Sequence, residues 1–202
     1  MSVRVLLAED QAMVRGAIAA LLALEEDIEI VAEASRGDEV VPLALESGPH
    51  VALLDVEMPG GDGLDAAADL REALPSCRVI ILTTFGRAGY LKRAMVNGAT
   101  GFLLKDAPSS ELAKAIHRVM QGERVVDPDL AAAALSAGDN PLTEREREVL
   151  AASEGGATIE DVAAELYLSE GTVRNYLSAA IKKLGTRNRV EAARLAERKG
   201  WL

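Results

Sequence analysis

Val51-Ala52-Leu53-Leu54-Asp55 decides the fold: four apolar residues in a row, closed by a carboxylate. A strand with one wet face alternates. A short continuous apolar run reads as a strand buried on both faces, as in a parallel sheet. The same pattern recurs on either side. Val3 to Ala8 is strand-like and runs into Glu9 and Asp10, and Ile28 to Ala34 follows as a second strand. Val79-Ile80-Ile81-Leu82 ends at Thr83, and Gly101-Phe102-Leu103-Leu104 ends at Lys105. Helical patterns at 11–24, 37–47, 64–74, 88–97 and 109–120 fill the gaps, with Gly98 and Gly122 as stops and Ser35 with Asp38 as a start signal. These five βα units predict a doubly wound, five-stranded parallel sheet, whose ligands bind beyond the carboxyl ends of the strands.

Beyond Gly122 the character changes. Residues 123–140 contain Pro128, an Ala-rich stretch and Ala137-Gly138-Asp139-Asn140, and predict a short helix followed by a linker that ends near 138–141. From Leu142 onward no strand signal remains. Thr143 with Glu146 forms a capping box, and helices are expected at about 143–153, 158–166, 169–184 and 188–199. The chain therefore reads as α/β plus all-α: an α/β domain over 1–122, a linker with a short helix over 123–140, and a four-helix domain over 141–202.

Composition narrows the function. The 202 residues are 49% apolar but only 3% aromatic, so aliphatic packing carries the core. One cysteine, Cys77, excludes a disulfide scaffold and a Cys-rich zinc site, and a lone thiol fits a reducing, cytoplasmic setting. No run approaches the roughly 18 apolar residues of a membrane span, so no membrane insertion is expected. The net charge of −10 is unevenly spread: residues 1–140 carry 12 basic and 22 acidic side chains, whereas 171–202 carry 8 basic and 2 acidic. Phosphate repels an acidic protein, so any nucleic-acid contact belongs to the basic C-terminal segment.

Five polar groups converge at one edge of the expected sheet: Glu9, Asp10, Asp55, Thr83 and Lys105. Three close carboxylates repel one another, and a hard divalent cation such as Mg²⁺ relieves that. Asp55 then stands as a nucleophile beside a metal and a lysine, an arrangement suited to phosphoryl transfer, with Thr83 to bond a phosphoryl oxygen. Any one of these residues alone reads as an ordinary solvated strand end. His50 and His117 stand apart and read as surface or packing residues.

The motifs LLAEDQ (6–11), LLDVEMPGGDG (53–63), ILTTF (81–85) and GFLLKD (101–106) resemble the receiver domain of two-component response regulators, whose fold is flavodoxin-like. The resemblance implies that Asp55 is the phosphoacceptor and that Glu9, Asp10, Asp55 and the backbone carbonyl of Glu57 hold Mg²⁺. It makes Lys105 a phosphoryl contact and Thr83 with Phe102 the switch pair, Phe102 swinging inward as Thr83 closes on the phosphoryl group and standing where many relatives have Tyr. A sensor histidine kinase is then the donor. The domain promotes only its own phosphoryl transfer and dephosphorylation and is not an enzyme toward other substrates. Phe85, two residues after Thr83, is a candidate for limiting water access to the acyl phosphate.

In the second domain, Thr158–Leu166 is an amphipathic helix, Tyr167 and Leu168 a turn, and Ser169 the cap of the next helix. That is a helix-turn-helix, whose second helix enters the major groove. Val173, Leu177, Ile181 and Leu184 share one face, which leaves Arg174, Asn175, Ser178 and Lys182 outside, with Thr172 near the backbone. Arg reads guanine, Asn reads adenine, and Lys182 or Lys183 suits phosphate. LTEREREVL (142–150) and SEGTVRNYLSAAIKKLGTRNRVEAA (169–193) resemble the LuxR/NarL-type DNA-binding domain, and GTVRNY with ERKGW (197–201) is similar to DesR-type regulators of lipid desaturation. Together these resemblances imply a transcription factor that phosphorylation drives into a homodimer on double-stranded promoter DNA. The helical faces at 11–24 and 109–121 are the two candidates for its dimer contact. An aspartyl phosphatase and a constitutive DNA binder are the alternatives. The first leaves the C-terminal half without a role, and the second leaves the acidic pocket without one.

Overall fold

The computed structural model describes residues 2–84, 86–136 and 140–202, so Phe85 and part of the expected boundary at 138–141 lie outside the described residues. The chain divides into two compact units, residues 1–86 with 91–132 and residues 87–90 with 133–202. Along the chain, β1 (Val3–Ala8), α1 (Ala12–Leu22), β2 (Ile28–Ala34), α2 (Val40–Ser47), β3 (Val51–Asp55) and α3 (Gly63–Ala73) come in that order. β4 (Arg78–Thr83), α4 (Ala88–Val96), β5 (Gly101–Leu104), α5 (Ser109–Met120), β6 (Val125–Val126) and α6 (Pro128–Ser136) follow.

The strands form one parallel sheet in the order β2-β1-β3-β4-β5-β6. The order reverses between β1 and β3, which is the switch point where doubly wound sheets bind ligands. The expected five strands are present and a sixth is added: Gly101 pairs with Val125 and Phe102 with Val126. The stretch read as a linker, 123–140, thus contributes an edge strand as well as its short helix. Two residues are too few to show any periodicity.

Successive residues Leu53 and Leu54 on β3, and Ile80 and Ile81 on β4, are all fully buried. Neighbours in a strand point to opposite faces, so both faces of the sheet are covered. Val5, Leu7, Leu53 and Ile80 pack with Ile18 and Leu22 of α1 and Ile116 and Val119 of α5. Cys77 is also buried, which pushes its thiol up to about 12 and leaves it unreactive. The start of α2 differs from the expected capping pair. A 3-10 turn over Gly37–Glu39 precedes the helix, and Glu39, not Asp38, accepts the backbone N–H of Ser35 at 2.9 Å. The Asp38 carboxylate is taken by the Arg36 guanidinium.

The second unit is helical: α7 (Glu144–Ala152), α8 (Ile159–Glu165), α9 (Glu170–Leu184) and α10 (Arg189–Lys199). Its core joins Val149, Leu150, Val162, Val173 and Leu177 to the small residues Ala163, Ala180, Ala192, Ala193 and Ala196. The capping box of α7 is present, with Thr143 and Glu146 bonded both ways. Thr158 and Asp161 form a second box at α8.

The loop after β3 is held by close backbone approaches. Gly63 N–H donates to Val56 O at 3.0 Å, and a Cβ at Gly63 would lie 1.8 Å from the Asp55 carbonyl oxygen. Gly37 is crowded in the same way by the Gly61 carbonyl, at 2.1 Å. Gly63→Ala is expected to destabilise the first unit by about 1–3 kcal/mol, the usual range for overpacking, in a urea denaturation series. Unchanged stability would show that this loop yields freely.

Candidate functional site

The carboxyl ends of β1, β3, β4 and β5 bring Glu9, Asp10, Asp55, Thr83 and Lys105 to the switch edge of the sheet. Glu9, Asp55 and Thr83 are buried, whereas Asp10 is exposed. Lys105 Nζ lies 2.6 Å from Glu9 Oε2 and 2.8 Å from Asp55 Oδ2. The Asp55 carboxylate is held at both oxygens, because Oδ1 accepts the Val56 N–H at 2.8 Å. Glu9 is fixed through Oε1, which accepts the Gln11 N–H at 3.2 Å, and through its carbonyl, which accepts from Arg15 at 2.6 Å.

Burial pushes the Glu9 carboxyl above its ordinary value and the Asp55 charge adds to this, against the pull of Lys105. Burial also works against the Lys105 ammonium, but hydrogen bonds and charge from Asp55 and Glu9 outweigh it and raise its pKa. Two buried carboxylates therefore share one cation. Oxygens of Glu9, Asp10 and Asp55 lie within 4.8 Å of one another. Glu9 Oε2 is buried, and Lys105 Nζ at 2.6 Å is the partner it meets. A cluster of three hard carboxylate donors, two of them buried and facing a single ammonium, fits a divalent cation such as Mg²⁺.

Thr83 is 1% exposed and Phe102 fully buried, so the expected switch pair faces inward from adjacent strands. Glu57 lies two residues past Asp55 with its side chain exposed. His50 accepts the Arg4 backbone N–H, and His117 pairs with Asp27, both away from the pocket. Arg15 escaped the sequence reading. Nothing in its position on α1 distinguishes it from a surface arginine until the Glu9 carbonyl is seen beneath it.

In the helical unit, α9 buries Val173, Leu177 and Ala180 and half-buries Ile181 and Leu184. Arg174, Asn175, Ser178 and Lys182 are all exposed, so the expected reading face is free of the core. Arg174 pairs with Glu170 at 2.6 Å on the same face. Thr172 is half-buried, with its hydroxyl 2.8 Å from the capping Ser169 hydroxyl. Lys183 is committed elsewhere: its Nζ meets buried Glu146 Oε2 at 2.6 Å, joining α9 to the cap of α7.

A receiver flanked by a helix-turn-helix is what known proteins also match. Residues 5–117 match the response regulator receiver domain, and residues 140–196 match the bacterial regulatory proteins of the luxR family. The chain is a two-component response regulator of the LuxR/NarL type. This regulator is 46% identical over 200 residues to the transcriptional regulatory protein YvfU of Bacillus subtilis (strain 168), covering 99% of this chain and 100% of that one. It is 45% identical to the transcriptional regulatory protein DesR of the same organism, covering 98% of each. Among solved structures, the response regulator ChrA of a heme-sensing two-component system is 35% identical with a TM-score of 0.59, covering 100% of this chain and 99% of that one. The response regulator is thus a phosphorylation-dependent transcriptional regulator, as close to YvfU as to DesR. No helix among the described residues is long and apolar enough to cross a membrane.

Glu146 supplies a pH test of the helical unit. Burial works against its charge, but Lys183 and the Thr143 cap outweigh this and hold its carboxyl below the ordinary value. A depressed folded pKa gives stability that is present above the unfolded value and lost as pH falls through the folded one. Glu146→Gln is expected to lower stability by about 1–2 kcal/mol at neutral pH, the half-exposed lysine being partly screened by solvent. That difference shrinks as acid removes the wild-type charge. Urea midpoints of both proteins at pH 7 and below pH 4 test it, and an equal gap at both would refute it.

Proposed function

We propose that Asp55 accepts a phosphoryl group from a sensor histidine kinase, and that the phosphorylated protein dimerises and binds promoter DNA through 169–184. The observation that carries this is the Asp55 carboxylate, buried at the end of β3 and fixed at both oxygens by Val56 N–H and Lys105 Nζ. An oxygen of Asp55 attacks the phosphorus of the kinase phosphohistidine; the P–O bond forms as the P–N bond breaks, and the imidazole leaves. Lys105 balances negative charge on the transferring group. The Thr83 hydroxyl donates to a phosphoryl oxygen. Glu9, Asp10, Asp55 and the Glu57 carbonyl are the residues that would hold Mg²⁺, which when bound neutralises phosphoryl oxygens. The protein acts on no separate substrate, and its setting is the cytoplasm.

Thr83 and Phe102 form the switch, Thr83 closing on the phosphoryl group; the expected inward position of Phe102 is already taken here, where its ring is fully buried, so phosphorylation holds it there rather than drawing it in. The receiver domain is 1–122, the connecting segment 123–140 and the DNA-binding domain 141–202. Dimerisation has a candidate face on α1. Met13 of α1 and Leu24 just past its end are 88% and 78% exposed, and an apolar groove of about 350 Å³ runs between α1 and α5, lined by Met13, Leu21 and Leu112 among others. On DNA, Arg174 and Asn175 reach base edges, and Ser178, Thr172 and Lys182 contact the backbone.

Incubation with acetyl phosphate and Mg²⁺ is expected to add one phosphoryl group by intact mass and none to Asp55→Ala. The same samples are expected to sediment as dimer and monomer respectively. A phosphorylated Asp55→Ala protein, or one mass in both states, would overturn the reading. Once an operator has been selected from random duplexes, Lys182→Ala is expected to weaken all sequences alike and to lower the salt slope by about one. Arg174→Ala is expected to cost about 1–3 kcal/mol of discrimination at one base position.

A further inference from the structure

Helices α2, α9 and α10 end on a residue in the left-handed conformation, and each time it is glycine: Gly48, Gly185 and Gly200, with φ of 57°, 63° and 65°. That is the physical choice, because a Cβ there collides with backbone. α8 ends in the same geometry. Leu168 N–H donates to Ala163 O at 2.8 Å and Tyr167 N–H to Ala164 O at 3.4 Å, the paired bonds of a Schellman cap. Arg145 also donates to the Leu166 carbonyl, at 3.4 Å, which ties the turn to α7. The left-handed residue here is Tyr167, with φ of 55°, the only non-glycine residue at positive φ among the described residues. A bulky side chain in that region is an outlier.

Nothing inside the fold accounts for it. The Tyr167 side chain is 95% exposed, the most exposed large hydrophobic residue described. It serves no core, and glycine would fit the turn with less strain. Its place is informative: Tyr167 sits two residues before Ser169, the cap of α9, on the turn that delivers the reading helix. Tyrosine offers a flat ring and a hydroxyl donor, and tyrosine hydroxyls are among the groups that bond DNA phosphates. A turn locked by three hydrogen bonds presents that side chain without further ordering.

We propose that Tyr167 is a DNA-backbone contact, its hydroxyl donating to a phosphate beside the groove that α9 enters. This deepens the DNA-binding reading and rests on it. The strain at this turn is then retained for what the side chain does outside the protein.

The test uses full-length protein, treated with acetyl phosphate and Mg²⁺, and a labelled 30-base-pair random-sequence duplex, because a phosphate contact is independent of sequence. Tyr167→Gly is expected to keep or raise the melting temperature yet weaken binding about tenfold, the scale of one hydrogen bond to a charged group. Tyr167→Phe is expected to weaken it similarly. Because a neutral donor displaces no counterion, the salt slope should stay unchanged in both variants, unlike that of Lys182→Ala. Wild-type affinity in either variant would overturn the assignment. So would a fall in melting temperature in the glycine variant, which would make the side chain part of the fold. Retained affinity with a lower sedimenting mass would give the turn to a second copy of the chain instead. Absence of duplex binding by the wild-type protein would overturn the DNA-binding reading itself.

Discussion

The contact of Lys105 Nζ with Glu9 at 2.6 Å and Asp55 at 2.8 Å is the constraint around which the first unit is organised. Two carboxylates and one ammonium lie at the end of a sheet whose faces are both dry. Removing one member of such a set leaves a buried charge uncompensated, at a typical cost of about 3–5 kcal/mol. A net excess of negative charge nevertheless remains, since three carboxylates face one lysine. A pocket that is short of positive charge and already rigid is prepared for a cation and a phosphoryl group. The fold tolerates this frustration because β1, β3 and β4 around it are covered on both sides.

The loop after β3 extends that constraint into the backbone. Asp55 cannot shift without moving Gly63, whose Cα hydrogens face the Asp55 carbonyl. Gly63 starts α3, which Asp62 caps by accepting the Asp65 N–H at 2.7 Å. The same Asp62 meets Arg93 of α4 at 2.9 Å, and Asp65 meets it at 3.0 Å. A change at the Asp55 carboxylate is thus coupled through one tight turn to two helices. That is the kind of contiguous, stiff connection a switch requires.

Much of this was legible in the sequence, for identifiable reasons. Strands buried on both faces leave runs such as 51–54 and 79–82 that no surface element imitates, and their last residues carry the chemistry. Val125 and Val126 form a strand only because β5 offers an edge, so no local pattern announces them. Glu39 rather than Asp38 takes the Ser35 N–H ahead of α2 because Arg36 captures the shorter side chain, a competition decided in space. The exposed face of α9 followed from helical periodicity alone. Tyr167 was readable as a turn residue, but its backbone sign was not, since glycine is the residue that usually reveals a left-handed position.

The orientation of α9 turns on one carboxylate used twice. Glu146 accepts the Thr143 N–H at 2.7 Å to complete the cap of α7, and its Oε2 also meets Lys183 of α9. α7 packs directly against α9 there, a closeness that a core rich in alanine allows. Ala180, Ala192 and Ala196 are fully buried where larger side chains would hold the helices apart. Small residues contribute little hydrophobic stabilisation each, so the unit relies on polar links to fix angles that bulk would otherwise set. Both lysines are exposed, but Lys183 is paired with Glu146 whereas Lys182, one position earlier, lies away from that pair. Adjacent lysines on one helix therefore divide between holding the helix and presenting charge, and periodicity decides which does which.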